Sequence, residues 1–333
     1  MATLSANRVT EIDRAKGFAI FLVVVGHIAT DTTPPGNEWF SELVYVIYSF
    51  HMPFFMYLSG FVMGRTFKEL NSLSEYGRYV SARFWRLAPA FFLFAIIILS
   101  GKIIASNYMA VDNLPAGWWQ GLLDILLVPG QSSAKSLWFV YVLFEFYVLF
   151  PILLILSGGR TLPIVLFGLV VHFLPGTPYL MIDWVFEYFV YFAIGIMIAK
   201  NYDSIIETFD RYLGLSLFVF FLSMSILYID VHYLVARLVI GCLSIPALHA
   251  LMRSELFKNS NVLLQWGLLS YPIYLMNTIA IGFTKGVLLK FYSWEGLNFL
   301  WIAPIIFIAG FYGPIIVKRY IFPYLPPLDR ATN

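Results

Sequence analysis

The hydrophobic positions of this chain do not alternate or recur at a helical period; they run together. Continuously apolar stretches of about twenty residues fall near 17–30, 43–63, 87–106, 136–157, 162–178, 184–199, 212–229, 236–252, 262–284 and 297–317. FFLFAIIILS and LGLSLFVFFLSMSILYI are typical. Lipid leaves each backbone N–H and C=O to be satisfied internally, which restricts spanning structures to helices or a closed barrel. Barrel strands would alternate in polarity every second residue, and these runs do not. The pattern predicts an all-α, polytopic integral membrane protein with about ten transmembrane helices. GWWQGLLDILLV is too short to span and carries Asp124 in its middle, so it is expected to lie on the outer face or dip into it.

Composition agrees. Hydrophobic residues make up 60% of the chain and charged residues 12%, with a mean hydropathy of +0.79. A soluble domain carries about 25% charged residues, so water cannot be the solvent for most of this surface. A net charge of +2 gives no nucleic-acid signature. Residues 1–333 read as one membrane-embedded domain without repeats or low-complexity tracts, and no cleavable signal peptide is evident.

The distribution of the cations sets the orientation. With the N-terminus inside, Arg8, Arg14, Lys16, Arg65, Lys68, Arg78, Arg83, Arg86, Arg160, Lys200, Arg211, Arg253, Lys258, Lys318, Arg319 and Arg330 all fall on the inner side. Only Lys102, Lys135, Arg237, Lys285 and Lys290 lie outside or at outer helix ends. The positive-inside rule then places both termini in the cytosol.

Ionisable groups inside a span are costly, which makes His27, His51, Glu145 and Glu187 functional candidates, with Arg237 and His249 behind them. His172 and His232, nearer the outer surface, suit structural or solvated roles. Lys16 and His27 are eleven residues apart, which returns them to the same helix face about 16 Å apart along the axis. Asp13 shares that face and can pair with Lys16. His51 enters the bilayer from the outside, at a depth comparable with His27, and Pro53 loosens the backbone beside it. Ser59-Gly60 permits close helix contact. Trp138, Tyr141 and Glu145 share one face of the fourth stretch, and which of Glu145 and Glu187 meets a histidine stays open at this level. The single Cys242 lies in an apolar run and reads as packing. No metal-binding motif is present, and no helix holds the paired histidines of a bis-histidine haem site.

These segments resemble the type-3 membrane acyltransferases, which decorate bacterial surface glycans. The resemblance rests on DRAKGFAIFLVVVGH, with Lys16 and His27; on FHMPFFMYLSGF from Phe50 to Phe61; and on RFWRLAP from Arg83 to Pro89. LWFVYVLF from Leu137 and SYPIYLMN from Ser270 to Asn277 fit later signatures. Lys16 stands where most members have arginine, as in the fucose 4-O-acetylase and exopolysaccharide acetylase branch. Asn277 stands where many members have histidine, and an amide does not titrate. The extracytoplasmic esterase-like domain of some relatives is absent.

The resemblance implies an O-acyltransferase that moves an acyl group, acetyl foremost or else succinyl, from cytosolic acyl-CoA to a sugar hydroxyl. The acceptor would be a cell-surface or lipid-linked glycan. Lys16, Arg83 and Arg86 would hold the nucleotide phosphates, and the pantetheine arm would follow the polar face of the first helix. His27 would be the general base, with His51 orienting it or binding acceptor. Glu145 is a further catalytic candidate; Trp138, Tyr141 and Asn277 would line the acceptor site. Direct transfer is favoured over an acyl-enzyme on Ser59. No metal is implied. The setting would be a bacterial inner membrane, with a homo-oligomer or a glycan-synthesis complex as the assembly. The rival class is a transporter or flippase for a glycan or lipid-linked intermediate.

Overall fold

A computed structural model describes residues 9–29, 33–108 and 111–332; Arg8 of the charge argument lies outside them. The described residues form helices and turns, with no strand among them. In chain order the helices are α1 (Thr10–His27), α2 (Glu38–Thr66), α3 (Leu73–Ala105), α4 (Trp118–Leu127) and α5 (Trp138–Leu156). There follow α6 (Leu162–Val171), α7 (Ile182–Lys200), α8 (Tyr202–Arg211), α9 (Leu213–Ser223) and α10 (Tyr233–Arg253). The last four are α11 (Asn261–Leu268), α12 (Ser270–Leu288), α13 (Gly296–Tyr320) and α14 (Pro326–Ala331).

Six helical segments among the described residues are long and apolar enough to cross a membrane: those containing α2, α3, α5, α7, α10 and α13. A seventh forms if α8 and α9, bent by 77° at their junction, count as one broken span. The other apolar stretches are also helical but shorter or interrupted. α1 carries Glu11, Asp13, Arg14 and Lys16 in its first two turns, which shortens its apolar part. α6 has ten residues, about 15 Å against a hydrocarbon core of about 30 Å. The stretch 262–284 is divided between α11 and α12, with Pro272 in the first turn of α12. A proline there cannot donate to the Leu268 carbonyl, and its ring crowds that carbonyl, which favours the break seen at Leu269. α4 is a ten-residue helix with Gly121 and Ile125 buried and Trp118 and Trp119 exposed, too short to span, as its sequence predicts.

The exterior of the bundle is apolar. Leu156, Phe283 and Leu297 are each at least three-quarters exposed, a surface suited to acyl chains and unsuited to water. Inside, backbones approach closely at glycines. Gly60 of α2 lies against the backbone of Phe192 in α7, and Gly195 of α7 lies against the Tyr57 carbonyl of α2. Gly17 of α1 meets the Leu263 backbone of α11, and Gly267 meets the backbone of Asp13. Small residues at such crossings let helices gain van der Waals contact in lipid, where hydrophobic association contributes little. α1 is thereby enclosed by α2, α10, α11 and α12, and the face carrying Lys16 and His27 runs through the interior.

Caps fix the polar ends. Ser72 Oγ accepts the Glu75 N–H at 3.2 Å, and the Glu75 carboxylate accepts the Asn71 N–H at 2.8 Å. This reciprocal cap starts α3 within its basic segment.

Candidate active site

The two histidines expected to converge do so, and a tyrosine joins them. His27 is the last residue of α1 and is partly buried; His51 is buried in α2. One turn before His51, the Tyr48 ring stacks on the His51 imidazole, with ring centroids 4.9 Å apart and 27° between planes. The Tyr48 hydroxyl donates to the Gly26 carbonyl at 3.2 Å, one residue from His27. Glycine is required at 26, because a Cβ there would collide with the Tyr48 ring. The two imidazoles lie within electrostatic reach of each other.

His51 Nδ1 is 2.8 Å from the Ile47 carbonyl oxygen. A carbonyl only accepts, so Nδ1 carries the proton and Nε2 keeps the lone pair. Lys135 lies within electrostatic reach of His27, and Arg237 within reach of His51. Arg237 forms an ion pair with Glu187. That settles the partner of Glu187, which is a guanidinium and not an imidazole. His172 instead places Nδ1 2.8 Å from the Glu187 backbone carbonyl and Nε2 3.0 Å from the Leu234 carbonyl, fastening the end of α6 to α7 and α10.

The remaining candidates lie on α2, α5 and α12. Trp138 at the start of α5 packs against Trp184 and Tyr188 of α7, at 4.3 and 5.0 Å between centroids. Tyr141 turns toward α3 and α4, and its hydroxyl donates to the Leu126 carbonyl at 3.0 Å. Glu145 is partly buried, and its Oε2 is enclosed without a hydrogen-bond partner. Asn277 is buried in α12; its amide donates to the Ile273 and Tyr274 carbonyls at 2.9 and 2.8 Å, while its Oδ1 is unbonded. The neighbouring Tyr274 hydroxyl bridges the start of α5, donating to the Ser136 carbonyl at 2.7 Å and accepting the Phe139 N–H at 3.0 Å. Ser59 Oγ donates to the Phe55 carbonyl at 3.0 Å within its own helix, an arrangement that favours packing over nucleophilic use.

The opposite end of the bundle is cationic and aromatic. Arg83 lies over the Tyr79 and Tyr147 rings at 5.1 and 4.8 Å. Arg86 is exposed and within electrostatic reach of Tyr147 and Tyr271. The Tyr79 and Tyr271 hydroxyls are buried without partners. Lys16 is partly buried, two turns into α1. Beside this mouth, Arg253 donates to both Asp210 oxygens at 2.9–3.0 Å, to Glu11 at 2.9 Å and to the Tyr202 hydroxyl at 3.0 Å. Tyr202 donates to the same Glu11 carboxylate. This network ties α1, α8 and α10 together. Among the described residues, no group of three or more metal-ligating side chains gathers.

Sequence reasoning missed Tyr48 and the Tyr57–His249 hydrogen bond. Tyr48 carried a signal, since a tyrosine three residues before a membrane histidine shares its helix face.

A family profile described as an acyltransferase domain matches residues 9–319. The nodulation protein NolL of Sinorhizobium fredii (strain NBRC 101917 / NGR234) is 25% identical over 220 residues, covering 64% of this chain and 54% of that protein. NolL of Mesorhizobium japonicum (strain LMG 29417 / CECT 9101 / MAFF 303099) is 26% identical over 149 residues, covering 44% and 36%. The chain thus spans about half the length of the first of these relatives and about a third of the second. No solved structure matches.

Proposed function

This chain belongs to the type-3 acyltransferase family, and from that premise we propose that it O-acylates a cell-surface or lipid-linked glycan with an acyl group, acetyl foremost, drawn from cytosolic acyl-CoA. The observation that carries this reading is the His27–Tyr48–His51 cluster at one end of α1, with Lys16, Arg83 and Arg86 toward the other. Donor and acceptor would approach from opposite sides of the membrane and meet near His27.

The chemistry follows from the groups. A sugar hydroxyl is a weak nucleophile until a base removes its proton, and an imidazole suits that role near pH 7. His27 takes the proton as the hydroxyl oxygen attacks the thioester carbonyl carbon. The C–S bond breaks, and the coenzyme A thiolate leaves with the proton returned by the imidazolium. His51, held by the Ile47 carbonyl and the Tyr48 ring, keeps its Nε2 lone pair to orient the base or bind the acceptor hydroxyl. The guanidinium groups would bind diphosphate through charge-assisted hydrogen bonds, and the unpartnered Tyr79 and Tyr271 hydroxyls lie where a donor ligand could complete them. In this reading the apolar stretches cross a bacterial inner membrane ten times, with short helices α6 and α11 used within broken spans and both termini in the cytosol.

Transfer of labelled acetyl from acetyl-CoA to glycan in reconstituted membranes tests the function. A transporter would move glycan and leave it unlabelled.

Two further results are expected. A topology reporter inserted after Arg86 or Arg330 should report cytosol, and one inserted after Asn113 should report the outside. A reporter after Arg330 active only outside the cell would overturn the ten-span arrangement. Replacing Arg83 and Arg86 together with alanine should weaken acetyl-CoA binding by about a hundredfold or more, since each charged hydrogen bond contributes about 1.5–3 kcal/mol. Arg160→Ala serves as a cationic control. Unchanged affinity in purified double variant would reduce the two arginines to topology signals.

A further inference from the structure

A cavity of about 450 Å³ opens at the histidine end of the bundle, between the α6–α7 connection and the start of α10. Its lining includes Asp183, Trp184, Glu187, His172, His232 and Tyr233. The volume falls within the roughly 300–1,000 Å³ typical of small-ligand sites. A smaller hollow of about 120 Å³ reaches the same Asp183 and Trp184 from the side of Gly130 and Gln131, so this indole is flanked by open space on two sides.

The local backbone is shaped around these residues. Leu180 and Met181 both adopt positive φ of 53° immediately before α7, a conformation costly for residues with a Cβ and typical of functional sites. Gly176 lies against the Asp183 backbone, drawing the α6–α7 connection tightly over the start of α7.

The wall of the cavity packs on side chains that face the catalytic candidates. Glu187 pairs with Arg237 and lies beside the Tyr188 hydroxyl. Tyr188 is within electrostatic reach of Tyr48, and Arg237 within reach of His51. Trp184 packs on Trp138, three residues from Lys135, which is within reach of His27. A ligand resting on Trp184 therefore lies against a wall that Trp138 and the Glu187–Arg237 pair support.

Resting on the glycan-acyltransferase reading above, we infer that this cavity is the acceptor site and that it takes an uncharged, hydroxyl-rich sugar ring. The Trp184 indole offers a face for the C–H side of a pyranose. The Asp183 carboxylate and Nε2 of the exposed His232 offer hydrogen-bond partners for its hydroxyls. Asp183 and Glu187 line the cavity, and Arg237 pairs with Glu187, so an anionic sugar meets the Asp183 carboxylate.

The test measures transfer of labelled acetyl from acetyl-CoA to methyl glucoside, methyl fucoside and methyl glucuronide by purified full-length protein. The neutral glycosides should have KM values at least tenfold below that of the glucuronide. Trp184→Leu, which keeps an apolar contact for Trp138, and the near-isosteric Asp183→Asn should each raise the neutral-sugar KM about tenfold. Both should leave kcat and the KM for acetyl-CoA near wild type. Unchanged acceptor KM in both folded variants would overturn the acceptor site, and equal use of the glucuronide would overturn the uncharged-sugar assignment. Wild-type protein that binds acetyl-CoA but acylates none of the three sugars would instead remove the glycan-acceptor reading on which the site depends.

Discussion

Replacing His27 with alanine should leave folded protein and acetyl-CoA binding near wild type while glycan acylation falls by about 10² to 10⁴-fold, the usual worth of a positioned acid–base group. His27 ends α1 on the same face as Lys16, partly open where His51 is buried. Its backbone is fixed independently of its imidazole, because the Tyr48 hydroxyl holds the preceding Gly26 carbonyl. Truncating the ring should therefore remove chemistry without releasing the helix end. Wild-type turnover should fall as pH drops through the imidazole range, since a base must be unprotonated to act. The residual activity of His27→Ala should lose that dependence. His51→Ala should behave differently. It deletes the ring that stacks on Tyr48 and the bond to the Ile47 carbonyl, so both yield and turnover should suffer. A well-folded His27→Ala protein with full specific activity would sink the mechanism and move the base to His51.

What the sequence made legible was local. Unbroken apolar runs gave the helical class, because a helix satisfies its own backbone and needs no partner to declare itself. Eleven residues of spacing placed Lys16 and His27 on one face, and α1 is one continuous helix over that interval. The approach of His51 to His27 followed from their entry from opposite sides. What stayed hidden depends on residues far apart in the chain. Glu187 finds Arg237 fifty positions away, and Tyr57 meets His249 across 192. Glu11 gathers Tyr202 and Arg253 across 191 and 242. No periodicity encodes such pairings; they arise only when helices dock. Span lengths were half legible. Pro272 marks the break between α11 and α12, and Pro175-Gly176 follows the end of α6, yet hydropathy alone reads across both. Trp138, Tyr141 and Glu145 do share a face, but the first packs on α7 and the second on α3 and α4. A helix face is wide enough to serve two neighbours.

The docking of α2 on α7 should be among the least tolerant features of the fold, with the still closer α1–α11 crossing at Gly17 and Gly267. Gly60 and Gly195 abut each other's helix at backbone atoms: a Cβ at 60 would overlap the Phe192 carbonyl, and one at 195 the Tyr57 carbonyl. Backbone cannot rotate away as a side chain can, so valine at either position must separate the two helices. Overpacking usually costs about 1–3 kcal/mol, and a rigid obstruction belongs at or above the top of that range. Gly195→Val should therefore lower the ratio of folded to unfolded protein by about two orders of magnitude in a detergent unfolding assay. The effect should reach the active site, because α2 carries Tyr48 and His51 while α7 carries Trp184 and Glu187. Gly64 is the graded case: its Cβ would meet the Ala199 methyl at 2.7 Å and Ile196 backbone at 3.0 Å, so Gly64→Ala should destabilise less than Gly195→Val. Gly101 and Gly282 are the controls, being helical with nothing within 4 Å of an added Cβ. Alanine at either should be neutral or stabilise by up to about 1 kcal/mol through its better helix propensity. If Gly195→Val unfolded no more readily than Gly101→Ala, α2 and α7 would not be packed backbone to backbone.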